Sequence, residues 1–196
     1  MNGDPTTART RVMEAAITCA REKGVRGFSL EDVALEAGLS RSTIYRYFPE
    51  GRSQLFEETV TWEIGRFWER LALAVADLPT LEDRLVAGLV IGRKLMAKST
   101  ILNNLRDPEL LDLVEAAQPA EPLVHGVIRE YMLGLLRDEQ IDGRLVASLD
   151  LEFAADYLMR MSISWMNNPA GVDLTDDATA RKVVREQFLA GISARN

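Results

Sequence analysis

Between Gly24 and Phe56 the chain spells two short helices broken by a glycine, each with its own start signal. Ser29 follows Gly27-Phe28 and precedes Leu30, where a hydroxyl can accept a bond from the first free amides of a helix. Counted from that cap, Phe28 and Val33 stand at the two positions of a hydrophobic staple. Asp32 falls where an acid meets the positive helix end, but it is shorter than the Glu or Gln of a full capping box, so that half of the signal reads as weaker. Gly38 closes the helix at a position expected to need positive φ. Ser40 caps the next helix, stapled by Leu39 and Ile44. Two caps and two staples in close succession specify a tight helix-turn-helix.

The second helix begins at Arg41. With Ile44 set inward, Phe48 follows one turn later on the same side. At 3.6 residues per turn, Ser42 and Arg46 then point outward, flanked by Thr43 and Tyr45. Short hydroxyls that tolerate close approach, beside a guanidinium able to pair with a guanine edge, are what major-groove readout requires. Tyr45 and Tyr47 suit phosphates, as does the Ser29 hydroxyl at a helix N-terminus. From Ala37 to Pro49 there are two arginines, Arg41 and Arg46, and no acid. The competing reading is an ordinary three-helix bundle whose polar face is merely solvated.

The run Phe28-Ser-Leu-Glu-Asp-Val-Ala-Leu-Glu-Ala-Gly38-Leu-Ser-Arg-Ser-Thr-Ile-Tyr-Arg-Tyr-Phe48 resembles the DNA-binding domain of TetR/AcrR-type transcriptional regulators. The motif likeness covers about residues 8 to 60 and beyond that only length and helical pattern. It implies a lysine at the start of the fourth helix that meets a DNA phosphate. Here the segment Phe48-Pro-Glu-Gly-Arg52 is one residue longer and carries Arg52, to which that phosphate contact passes.

The net charge of −7 looks wrong for a DNA binder until it is divided. Residues 1–54 hold eight Lys or Arg against seven Asp or Glu, a balance of +1; the remainder holds fifteen against twenty-three, a balance of −8. The acid sits away from the reading head and limits non-specific sticking. The single cysteine, Cys19, excludes an intramolecular disulfide. It lies on the apolar face of the first helix, a small core residue before it is a redox sensor. The N-terminus has no apolar signal segment. No stretch approaches the ~18 apolar residues of a membrane span, so no membrane partner is expected and the cytoplasm is the expected compartment.

The rest of the chain reads as helical throughout, about nine helices in all. The spacing predicts helices over 8–23 (capped by Thr6 or Thr7), 53–77, 81–98, 107–117, from Pro119–Pro122 to about 138, 145–166 and 176–193. No alternating strand pattern, internal repeat or low-complexity tract is present. The expected organisation is all-α, with a helix-turn-helix DNA-binding domain over 1–54 and a helical ligand-binding and dimerisation domain over 55–196. The helix crossing the boundary would serve as a lever between them.

The last two long helices leave few purely polar sides, through Leu145, Val146, Leu149, Phe153, Tyr157, Leu158, Met161, Ile163 and Trp165, then Val184, Phe188 and Ile192. A helix apolar nearly all round is buried on two sides. One side can be its own core and the other a second subunit, with Ala147, Ala154 and Ala155 permitting close packing; a thick monomeric core is the alternative. The resemblance implies a homodimer joined by these two helices, and hence a palindromic operator.

The resemblance also implies a small-molecule pocket in the middle of the chain. Trp62, Phe67, Trp68, Met96, Met132, Met159 and Trp165 can line an adaptable apolar cavity, though such residues at helical spacing are more often plain core. His125, the only histidine, shares a stripe with Ile128, Met132 and Leu135, as a ligand contact or as a core histidine. Asn103 and Asn104 can present amides at a pocket mouth or cap a loop.

Catalysis finds little support. One histidine and one cysteine far apart do not build a nucleophile–base pair, and no phosphate-binding, nucleophile-elbow or metalloprotease motif is present. No cofactor and no metal is expected. The reading is a ligand-responsive repressor released from its operator by a small apolar or amphipathic molecule. An activator can use the same head. The alternative from another class is a helical ligand-binding or carrier protein that keeps the helix-turn-helix shape without a DNA function, against which Arg41, Arg46 and Arg52 argue.

Overall fold

The computed structural model describes residues 5–98 and 107–194. The expected Asn103 and Asn104 contacts lie outside the described residues. The architecture is all-helical: α1 (Pro5–Lys23), α2 (Leu30–Ala37), α3 (Arg41–Tyr47), α4 (Arg52–Val75), α5 (Leu81–Ala97), α6 (Asp107–Ala117), α7 (Glu121–Ile141), α8 (Leu151–Asn167) and α9 (Asp177–Val183). A 3-10 turn, Gln118–Ala120, leads into α7, and a π-helical turn, Val184–Phe188, extends α9. Among the described residues the only β pairing is an isolated bridge between Leu145 and Ser193.

The described chain divides into two compact units, Met1–Arg66 with Lys98–Glu121, and Phe67–Ala97 with Pro122–Asn196. The first unit therefore takes in α6 and more of α4 than the span 1–54 expected for the reading head.

In the first unit, α1 packs on α2 and α3 around Val12, Val33, Ile44, Phe48 and Leu55, all essentially without solvent contact. Gly27 sits where any side chain is excluded, since a Cβ there would lie 2.0 Å from the Lys23 carbonyl oxygen. Gly38 adopts φ 63°, ψ 38°, as its place in the turn demands, and its amide donates to the carbonyls of Ala34 and Leu35. Cys19 is buried, and burial pushes its thiol above the ordinary value, with nearby carboxylates adding to the shift. That environment fits a core role rather than a reactive thiol.

In the second unit one apolar core joins α5, α7, α8 and the α9 segment through Leu85, Val86, Leu136, Leu158, Leu174, Val184 and Phe188. Gly92 lets α5 approach α8, since a Cβ there would stand 2.3 Å from the Met166 Cε. Thr80 caps α5 through its hydroxyl, and the buried Glu139 carboxylate accepts the Leu81 amide at 2.8 Å. Burial pushes the Glu139 carboxyl upward, but the Arg144 guanidinium and the Leu81 amide outweigh it and hold it below the ordinary value.

Several helix bounds differ from the sequence reading. α1 begins at Pro5, so Thr6 and Thr7 lie within it rather than capping it. The stretch 145–150 is not helical: the Val146 amide donates to the Ile192 carbonyl at 3.0 Å, and the Ala194 amide to the Arg144 carbonyl at 2.9 Å. Asp150 then caps α8, accepting from the amides of Glu152 and Phe153. The final helix is regular only to Val183 before the π-helical turn. Ala154 and Ala155 are buried in the second unit's own core and are not available for close packing against another subunit.

Candidate nucleic-acid interface

The residues around the turn are held by local chemistry. The Ser29 hydroxyl accepts the Asp32 amide at 3.2 Å, and the Asp32 carboxylate accepts both the Ser29 amide and the Ser29 hydroxyl at 2.8 Å. The capping box is thus complete, against the weaker expectation for the short aspartate side chain. Lys23 bridges to Asp32 at 2.5 Å. That ammonium, with the amide and hydroxyl of Ser29, lowers the Asp32 carboxyl to about 2. The Ser29 hydroxyl, expected to meet a phosphate, here donates to Asp32, so a phosphate would have to compete with that carboxylate for its proton.

On α3 the two faces separate cleanly. Ile44 and Phe48 are fully buried, whereas Arg41, Ser42, Tyr45 and Arg46 are exposed. Thr43 and Tyr47 are half-buried flanks. The Ser40 hydroxyl oxygen lies 2.8 Å from that of Ser42 and 2.9 Å from that of Thr43, and it caps α3 by accepting the Thr43 amide at 3.2 Å. The Arg46 guanidinium lies over the Tyr47 ring, 5.0 Å from its centroid. No carboxylate pairs with Arg46 among the described residues. Arg41 pairs with Glu31 of α2 and lies 5.5 Å from the centroid of the Tyr45 ring.

Arg52 does not face outward as a phosphate ligand. Its guanidinium donates to the Phe28 carbonyl at 3.1 Å and to the Val25 carbonyl. The extra residue before α4, with Gly51 at φ 76°, starts the helix in a place from which Arg52 turns back onto the α1–α2 connection. The carbonyls of Val25 and Phe28 have no helical partner to accept from, and the guanidinium fork satisfies both.

Three positioning residues escaped the sequence reading. Arg9 donates to the Tyr47 carbonyl at 3.0 Å, pairs with Glu58 and lies 4.7 Å from the centroid of the Phe48 ring. Arg11 donates to the Ala37 carbonyl at 2.5 Å, tying α1 to the end of α2. Arg26 makes a two-pronged bridge to Asp112 of α6, at 2.5 and 2.7 Å, which depresses the Asp112 carboxyl. Their partners lie 26 to 86 residues away in the chain, so no local spacing announces them.

Of the candidate ligand residues, Met96, Met132 and Trp165 share the second unit's core, whereas Trp62 belongs with the first unit's. Trp62 packs against the first unit's core with Arg66 stacked 4.5 Å from the centroid of its ring. Met132 is buried in the second unit's core, where Met96 and Trp165 are half-buried. His125 is half-buried on α7. Phe67 and Trp68 meet edge to face, with ring centroids 5.4 Å apart.

Comparison with known proteins agrees with the geometry of the head. Residues 12–59 match the family model of the bacterial regulatory proteins, tetR family. An uncharacterised HTH-type transcriptional regulator of Mycobacterium bovis is 31% identical over 87 residues, covering 44% of this chain and 46% of that protein. The chain therefore spans about half the length of such relatives. The HTH-type transcriptional repressor KstR2 of Mycolicibacterium smegmatis is 22% identical over 95% of this chain and 89% of its own. The fold is shared with SmeT, the repressor of the Stenotrophomonas maltophilia multidrug efflux pump SmeDEF, at a TM-score of 0.60 and 21% identity over 96% of this chain and 91% of that one. A second structure of SmeT is a complex with triclosan.

Proposed function

We propose that this chain, which belongs to the tetR family of bacterial regulatory proteins, is a ligand-responsive transcriptional repressor that binds a palindromic operator as a homodimer. The observation that carries this reading is the division of α3. Ile44 and Phe48 are sunk in the core, while Arg46, Ser42, Tyr45 and Arg41 stand clear on the opposite side. A seven-residue helix so anchored can enter a major groove without moving its own scaffold. Arg46 is the base-reading residue, and Ser42 allows close approach beside it. Arg41 and the hydroxyls of Tyr45 and Tyr47 serve the phosphates; the Thr43 hydroxyl supports the Ser40 cap as much as it faces DNA.

Dimerisation through α8 and the α9 segment is supported by Phe153, which stands 74% exposed on α8. An aromatic ring so exposed on a helix with half-buried Met161 and Trp165 is a fit for a second copy. Two copies would set their α3 helices one turn of duplex apart, about 34 Å, or a multiple of that. The effector is a small apolar or amphipathic molecule, taken up among the methionine and aromatic side chains of the second unit, Met96, Met132 and Trp165 with Phe67 and Trp68. The naming of KstR2 and SmeT as repressors, and the binding of triclosan by SmeT, favour this over a carrier without DNA function.

Selection of bound fragments from a random duplex pool tests the whole reading. The expected result is an inverted repeat, with half-sites spaced by about one helical turn. Enrichment of no sequence, together with binding to random duplex that is indifferent to salt, would overturn it in favour of the carrier.

A further inference from the structure

Arg41 is the first residue of α3, and Glu31 sits in the first turn of α2. The two meet across the turn as an ion pair, and the other guanidinium nitrogen lies 3.4 Å from the Tyr45 hydroxyl. Both charged side chains are more than half exposed, so the pair adds little to stability. Its consequence lies in what Arg41 is free to do. Glu31 is the carboxylate that the structure sets against Arg41, while Arg46 has none among the described residues. To reach a DNA phosphate, Arg41 must first leave it.

We propose that Glu31 acts as an internal stand-in for a phosphate, holding Arg41 back from loosely bound DNA and releasing it only when α3 is seated in its cognate groove. The inference rests on the DNA-binding reading above. In a loose, hydrated encounter the nearest phosphates act on Arg41 through screened solvent, where attraction decays within about 10 Å at 0.1 M salt. A carboxylate in contact outcompetes them. In the seated complex a phosphate comes within hydrogen-bond reach of Arg41, and the exchange becomes favourable.

The counterion balance makes this measurable. A cation that neutralises a phosphate contributes about −0.9 to the slope of log affinity against log salt. Arg41 contributes less, because the Glu31 it abandons recruits a cation of its own. Glu31→Gln removes that offset. Affinity for random-sequence duplex is expected to rise about two- to five-fold, with a slope steeper by up to about 0.9. Affinity for a duplex selected from a random pool rises at least as much, because the parent must break the Glu31 pair to reach that phosphate, so discrimination between the two does not narrow.

The test measures both affinities across a salt series for the parent, Glu31→Gln, Arg41→Ala and the double variant, with the melting temperature of each as a check on folding. The inference expects the Glu31→Gln effect to vanish in the Arg41→Ala background. An unchanged slope in Glu31→Gln, or an effect that persists without Arg41, overturns it, the latter by showing plain repulsion between Glu31 and DNA. Those results leave the DNA-binding reading intact, whereas a parent chain that ignores duplex DNA at every salt concentration removes both.

Discussion

The Arg52 guanidinium lies over the Phe28 ring, 4.6 Å from its centroid, and crosses from the start of α4 to the connection before α2. From there it closes the carbonyls of Val25 and Phe28. One side chain thus fastens the front of the helix-turn-helix to the helix that follows it.

Arg52→Ala is expected to destabilise the protein by about 1–3 kcal/mol, because two carbonyls lose a charged donor and Phe28 loses its cover. Arg52→Lys is expected to fall between, since a point charge cannot serve both carbonyls as a planar fork does. Urea unfolding measures both. The salt slope of DNA binding should not change in either variant. A slope shallower by about 0.9 with stability untouched would return Arg52 to a phosphate.

Asp32 makes the head sensitive to acid. Its carboxyl is lowered to about 2, from an ordinary value of 3.8, by Lys23 first and then by the amide and hydroxyl of Ser29. A depressed folded value means that the unfolded chain takes up the proton first. The contribution is therefore fully present above about 3.8 and is lost as pH falls toward about 2. Unfolding midpoints measured through that window should decline more steeply in the parent than in Asp32→Asn. Parallel curves would show that the box and the lysine bridge contribute nothing to the fold.

The turn was legible in the sequence because its determinants are local. Ser29 and Asp32, Leu39 and Ile44, and Gly38 act over three to five residues, within the reach of spacing arguments. Leu145 to Leu149 misled because their apolar pattern suits a helix, while the bond that decides their structure joins Val146 to Ile192, far along the chain. The destination of Arg52 was hidden for the same reason, its partners lying 24 and 27 residues back. Glu31 stands in the first turn of α2, and spacing within that helix gives no hint of Arg41. Among the pocket candidates, residue type placed Met132 in an apolar interior but could not separate Trp62, which belongs with the first unit.

Gly92 offers a test of packing in the second unit. A Cβ there would meet the Met166 Cε at 2.3 Å and Sδ at 2.7 Å, both at the mobile end of the side chain. Replacing glycine by alanine within a helix gains about 1 kcal/mol, and moving Met166 off its rotamer costs about 0.5–1.5 kcal/mol. Gly92→Ala is therefore expected to be nearly neutral in urea unfolding. Gly92→Leu should cost about 1–3 kcal/mol through overpacking. A large loss for alanine would mean that backbone, rather than Met166, limits the approach of α5 to α8.

Arg46 and Tyr45 separate the reading of sequence from attraction to charge. Arg46 is exposed beside Tyr47, within 3.4 Å of its hydroxyl, which steadies a long side chain without neutralising it. Arg46→Ala is expected to cost about 1–3 kcal/mol on a selected operator and to flatten preference at one base pair per half-site. Tyr45→Phe removes a hydroxyl suited to phosphate and should weaken selected and random duplexes alike. Gel-shift titrations against a selected duplex and its single-base variants resolve the two patterns. If Arg46→Ala bound every duplex as the parent does, another side chain would have to read the bases, and exposed Ser42, one turn earlier on α3, would be the next to test.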